Sequence, residues 1–156
     1  MSSIHVAIDK FEEVANAFAS LRYFIYGKYA DIGNYRDKDY PALLVEDEPD
    51  LLSFDIDKNK RTYKVVFNFF DLYQREDKAQ ADPQRYEGDI ELLAWQYMKE
   101  LKTQLKTNAT IKIIEPITDG GGYSFNTGKD RTLRHQIILR ITVWGDCTLG
   151  SFSYGT

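Results

Sequence analysis

Two stretches of this chain are apolar on both sides of an extended backbone: Thr62–Tyr73, TYKVVFNFFDLY, and Leu133–Trp144, LRHQIILRITVW. A strand wetted on one face alternates apolar with polar residues. Here Tyr63, Val65, Phe67 and Phe69 project one way while Val66, Phe70 and Leu72 project the other. Both faces therefore call for cover, and with helices on one of them a second copy of the chain is expected on the other.

The remaining periodicities predict the other elements. Ile4, Ile8, Phe11, Ala15, Phe18, Leu21 and Ile25 recur at three- and four-residue steps, which predicts an amphipathic helix capped by Ser2 or Ser3 and stopped at Gly27. The polar, tyrosine-rich KYADIGNYRDKDY that follows has no period and reads as a connection. PALLVED predicts a short strand broken by the acidic EDEPD run. LLSFDID and TYKVVFNFFDLY, separated by Lys58, Asn59 and Lys60, predict an antiparallel hairpin. Asp82 and Pro83 open a second helix along Ile90, Leu93, Ala94, Tyr97, Leu101 and Leu105, ending near Asn108. ATIKIIEPI reads as a strand, and Gly120–Gly122 as the start of a projecting loop, Thr118–Arg131, before the long last strand.

This order predicts one α+β domain over residues 1–146. Its sheet is antiparallel or mixed, with two main helices on one face and a long hairpin arm. The tail 147–156, CTLGSFSYGT with Cys147, has too few apolar residues to fold alone and is expected to dock on a neighbour.

At 156 residues the chain is long enough to bury roughly two-thirds of its unfolded surface. Eleven Tyr and nine Phe bring the aromatic share to 14%, a composition compatible with extensive subunit contacts. Cys147 is the only cysteine, so no intramolecular disulfide forms and a reducing, cytosolic setting is expected. No stretch is long and apolar enough to span a bilayer, and MSSIHVAIDKFEE lacks the layout of a signal peptide. A net charge of −4 argues against a surface that grips nucleic acid.

Catalytic signatures fail one by one. His5 and His135 are too few and too far apart for a zinc site, and no G-x-S-x-G supports a serine triad. In TDGGGYSFNTGKDRT the Lys129 of a would-be phosphate loop is followed by Asp130 rather than Ser or Thr. Glu46, Asp47, Glu48 and Asp50 could hold Mg²⁺ or Ca²⁺, but a solvated loop accounts for them as well. A nuclease reading that joins Asp50 to Glu100 and Lys102 needs the Glu-x-Lys pair on a strand, whereas the helical period runs through it. The aromatic run lacks the interleaved Arg and Lys of single-strand binders. No cofactor, metal or catalytic residue is assigned, and the chain is not expected to be an enzyme.

The succession of an N-terminal helix, YPALLVED, an aromatic strand ending in DLYQREDK, the helix EGDIELLAWQYMKEL and a last long strand resembles small virion proteins of tailed bacteriophages. These are the tail terminator and neck-ring (head-tail connector) proteins, including those of phages that infect gut Bacteroidetes. The resemblance implies a virion protein, assembled in the host cytoplasm, that forms a homo-oligomeric ring of six or twelve copies. Such a ring joins other neck or tail proteins and passes DNA through its lumen without specific binding and without a membrane. On that reading the subunit contacts are Phe67, Phe69, Tyr73, Tyr123, Phe125, Phe152 and Tyr154, and the lumen candidates are Glu46, Asp47, Glu48 and Asp50. The alternatives are an intracellular protein-binding adaptor and a metal-dependent nuclease using Asp47, Glu48 and Asp50.

Overall fold

The computed structural model describes residues 4–28, 40–72, 83–127, 130–145 and 153–155, with backbone alone for 72, 83–88, 113–127 and 130–133. The chain is α+β, with two helices and a mixed six-stranded sheet. The elements follow in the order α1 (Ile4–Ala17), β1 (Tyr23–Gly27), β2 (Ala42–Glu46), β3 (Asp50–Asp55), β4 (Lys60–Leu72), α2 (Pro83–Leu105), β5 (Ile111–Thr127) and β6 (Asp130–Trp144).

The sheet runs β1-β2-β4-β6-β5, with β3 following β2 along the same edge of β4. β1 and β2 are parallel; every other pairing is antiparallel. The β4–β6 ladder extends from Lys60↔Trp144 to Leu72↔Thr132 and forms the spine of the fold.

Both helices pack on one sheet face. α1 turns Ala7, Ile8, Phe11, Val14 and Ala15 inward, and α2 turns Ile90, Ala94, Tyr97, Met98, Leu101 and Leu105, each set at helical spacing. They meet Leu43 and Val45 of β2, Val65, Phe67 and Phe69 of β4, and Ile137, Leu139, Ile141 and Val143 of β6. The Phe11 ring stands edge-on to Phe67 at 5.0 Å, and Tyr97 does the same to Phe69 at 5.5 Å. Each such side chain contributes about 2–3 kcal/mol through removal from water.

α1 is shorter than its spacing predicts. The helix stops at Ala17, the Phe18 amide bonding back to Val14 and Ala15, and Tyr23–Gly27 forms β1 instead of two further helical turns. Aromatic and β-branched residues favour a pleated strand. Ile25 faces away from the helices while Phe24 and Tyr26 pack toward them, a two-residue alternation that the three- and four-residue steps of Leu21 and Ile25 concealed.

The predicted projecting loop Thr118–Arg131 is also corrected. β5 continues through the three glycines, with Gly120↔Gln136, Gly121↔His135 and Gly122↔Arg134 in register, and only residues 128 and 129 separate the two strands. Shifts at Ile113/Glu115, Pro116/Thr118 and Ser124/Thr127 absorb the irregular sequence. Pro116 is tolerated because β5 is the last strand of the sheet and β6 is its one described neighbour.

The opposite sheet face divides into two parts. At one end Ile25, Tyr40, Ala42, Leu44 and Phe70 bury one another, with Tyr23 against them, so the chain itself covers Phe70. Elsewhere the face carries polar rungs. Asn68 donates to the Glu46 carboxylate at 3.1 Å and accepts from Gln136 at 3.1 Å, while the Thr62 and Thr142 hydroxyls share a hydrogen bond at 3.1 Å. Val66 and Ile138 are half-buried between them. A continuous apolar second face, expected from the sequence, is therefore not what the sheet presents.

Candidate functional site

β3 is the exceptional element of the described residues. Leu51 is 50% exposed, Leu52 46%, Phe54 63% and the adjoining Ile56 81%. Burial drives most apolar strands into a core, yet this one is wet on both faces. Its inner edge pairs with Lys60–Lys64 of β4, and among the described residues no strand pairs with its outer edge. An edge strand that is short, apolar and free of Lys or Pro is a template for another chain.

The two ends of β3 are firmly set. The hairpin turn into β4 is closed by the Asn59 amide donating to the Ile56 carbonyl at 3.1 Å, with Asn59 in the left-handed region at φ 50°. Gly145 donates its amide to the Asn59 carbonyl at 2.7 Å, and a Cβ at Gly145 would lie 2.9 Å from the Asn59 side chain. At the other end the chain kinks between β2 and β3, with Glu48 at φ 56°.

That kink carries the predicted lumen residues, and it splits them. Glu46 lies on the open sheet face, held by Asn68, and Asp50 forms an ion pair with Lys64 at 3.2 Å. Asp47 and Glu48 instead lie in the segment next to Tyr26, whose hydroxyl hydrogen-bonds with the Glu48 backbone. Burial raises the Tyr26 pKa, a hydrogen bond with the Glu48 backbone lowers it, and the Asp47 and Glu48 charges add to the rise. Among the described residues no three His, Cys, Asp or Glu side chains converge to hold a metal ion. The open face carries cations as well, with Lys64 and Arg134 half-buried and Arg140 exposed.

The predicted contact residues fare differently. Phe67 and Phe69 are fully buried beneath α1 and α2, so they belong to the core and cannot touch a neighbour. Tyr154 is 82% exposed. Tyr123 and Phe125 lie on β5, their side chains outside the described residues, where Tyr73, Cys147 and Phe152 also fall. The hairpin of LLSFDID with β4 was predicted and is present; what sequence reasoning missed is its exposure, which only the absence of a layer over it reveals. Leu92 at 60% and Trp95 at 43% form a smaller exposed patch on α2.

No protein-family model and no curated protein matches this chain. Among the described residues no helix is long and apolar enough to cross a membrane.

Proposed function

We propose that this protein is a non-enzymatic structural subunit that assembles with copies of itself into a ring at the neck or tail end of a bacteriophage virion, around the path of the DNA. The observation that carries the proposal is β3, whose Leu51, Leu52, Phe54 and Ile56 remain exposed at a sheet edge. Apolar area of this kind on a soluble protein marks a contact surface, and edge-strand geometry suits a regular, repeated contact better than an irregular one. The element order expected of neck-ring subunits supports the same reading. Within it, the polar sheet face bearing Glu46 and Asp50 is the surface suited to line the path of the DNA, its Asp50–Lys64 ion pair mixing both signs of charge.

Native mass spectrometry of the purified protein tests this directly. A closed oligomer, of six or twelve copies, is expected. A species that stays monomeric or dimeric at all concentrations would overturn the ring and fit an adaptor that offers β3 to a different partner.

A further inference from the structure

The side of α2 that faces away from the sheet carries a pattern of its own. Leu92, Trp95, Lys99, Lys102 and Lys106 follow one another at steps of three and four residues, and all of them are exposed. At helical pitch they share one stripe, within an arc of about 80° and about 21 Å long. Its first part is apolar, with Leu92 60% and Trp95 43% exposed. Its second part is basic: Lys99, Lys102 and Lys106, with Thr103, Leu105 and Lys112 from the start of β5, line an open groove of about 490 Å³.

Lys10 and Lys64 are held by Glu13 and Asp50, whereas among the described residues no ion pair engages Lys99, Lys102 or Lys106. The Lys112 ammonium donates to the Lys106 carbonyl at 3.2 Å and ties the strand to the helix end. Four lysines around one concavity exceed what the helix end needs, since its last carbonyls supply only about half an elementary negative charge. The acids of α2 stand off the basic part. By the same pitch Asp89 and Glu100 fall on the other exposed flank, and Glu91 lies beside Leu92 at the apolar end.

We infer that this stripe docks an amphipathic helix of another protein, acidic over Lys99, Lys102, Lys106 and Lys112 and apolar over Leu92 and Trp95. The inference goes beyond the ring reading and stands without it, because α2 and β3 are separate surfaces. Steps of three and four residues form the row along which a second helix packs. Charge complementarity sets the sign of the partner, and the change from apolar to basic along the stripe sets its direction. Carboxylates stabilise the first turns of a helix, so the partner runs antiparallel to α2 with its acidic N-terminal half at the lysines. A nucleic-acid strand fits less well. Its charge is uniform, so phosphates beyond the groove would lie on Leu92 and Trp95 or over the surface of a chain whose net charge is −4.

Calorimetric titration of the full chain with a synthetic helical peptide tests the contact. The contact stripe of this peptide carries glutamates in its N-terminal half and leucines in its C-terminal half; a control peptide has the same composition with the two residue types scattered. The first is expected to bind in the micromolar range and the control at least about tenfold more weakly. One variant carries Lys102→Glu and Lys106→Glu, a second carries Leu92→Ser and Trp95→Ser, and circular dichroism establishes that both are folded. Each should weaken the first peptide by at least about tenfold. No binding to the wild type, equal binding of the two peptides, or an affinity that neither variant changes overturns the inference. An oligothymidylate that binds more tightly than the peptide and is lost from the lysine variant assigns the groove to nucleic acid, and the inferred partner is then wrong. Both variants should keep the oligomeric state of the wild type in light scattering. If either changes it, the stripe is a contact between copies and the inference fails, whereas a monomeric wild type that binds the peptide supports the inference and overturns only the ring.

Discussion

Tyr97 shows how one side chain couples the layers. Its ring lies against Phe69 at 5.5 Å and Phe67 at 6.3 Å, and its hydroxyl donates to the Phe11 carbonyl of α1 at 2.8 Å. Replacement by Phe keeps the packing and removes the bond, at an expected cost of about 1 kcal/mol in urea unfolding. Burial holds the Tyr97 pKa far above its ordinary value of 10.0. A raised folded-state pKa contributes stability in full below the unfolded value and loses it as pH climbs beyond that value. Stability should consequently fall above about pH 10, where the unfolded chain ionises and the folded one resists. In Tyr97→Phe that fall should be shallower, as followed by chemical denaturation across the alkaline range. Phe69→Asp and Phe54→Asp make an informative pair at the same scale. The first places a charge at a fully buried position and should abolish folding, costing several kcal/mol, while the second, at a position exposed in the single chain, should leave the subunit folded with a cooperative transition. Thermal melting separates them.

Among the elements, β5 offers the sharpest test, because glycine runs normally mark loops. If Gly120–Gly122 belong to the ladder with β6, their segment should exchange amide protons more slowly than a flexible loop, whereas exchange at the rate of a free peptide would remove β5 beyond Pro116. The same strand shows where sequence reading succeeds and where it stops. α2 was legible because Ile90, Ala94, Tyr97, Leu101 and Leu105 keep one period to the end of a 23-residue helix, and the β4–β6 spine because its apolar runs are long. β1 was absorbed into the first helix, since five residues with apolar positions at Leu21 and Ile25 satisfy either period. The course of β5 depends on the ladder supplied by Arg134–Gln136, a long-range fact invisible in three consecutive glycines. At the candidate site, the pairing of LLSFDID with the long aromatic strand was available in the chain. The exposure of Phe54 and Ile56 was not, because it depends on which surfaces the helices leave bare.

For the molecule as a whole, the asymmetry is lateral. One edge ends in an apolar strand with an acidic shoulder, the other in a long glycine-bearing strand beside a basic groove. Replacing Phe54 and Ile56 together by Asp should leave the monomer folded and more soluble while shifting sedimentation from oligomer toward monomer. If sedimentation does not change, β3 is not where copies meet. Raised salt should weaken association only partly, since screening acts on the charges and leaves the apolar contribution in place.

The rungs Glu46–Asn68–Gln136 and Thr62–Thr142 have one more effect. Sliding β6 by a single residue against β4 would carry Gln136 and Thr142 to the side packed with phenyl rings and expel Ile137 and Leu139 into water. The sheet is thus indexed from its wet side as well as from its core, and two long strands rich in interchangeable aliphatic residues have a single alignment in which both sides agree.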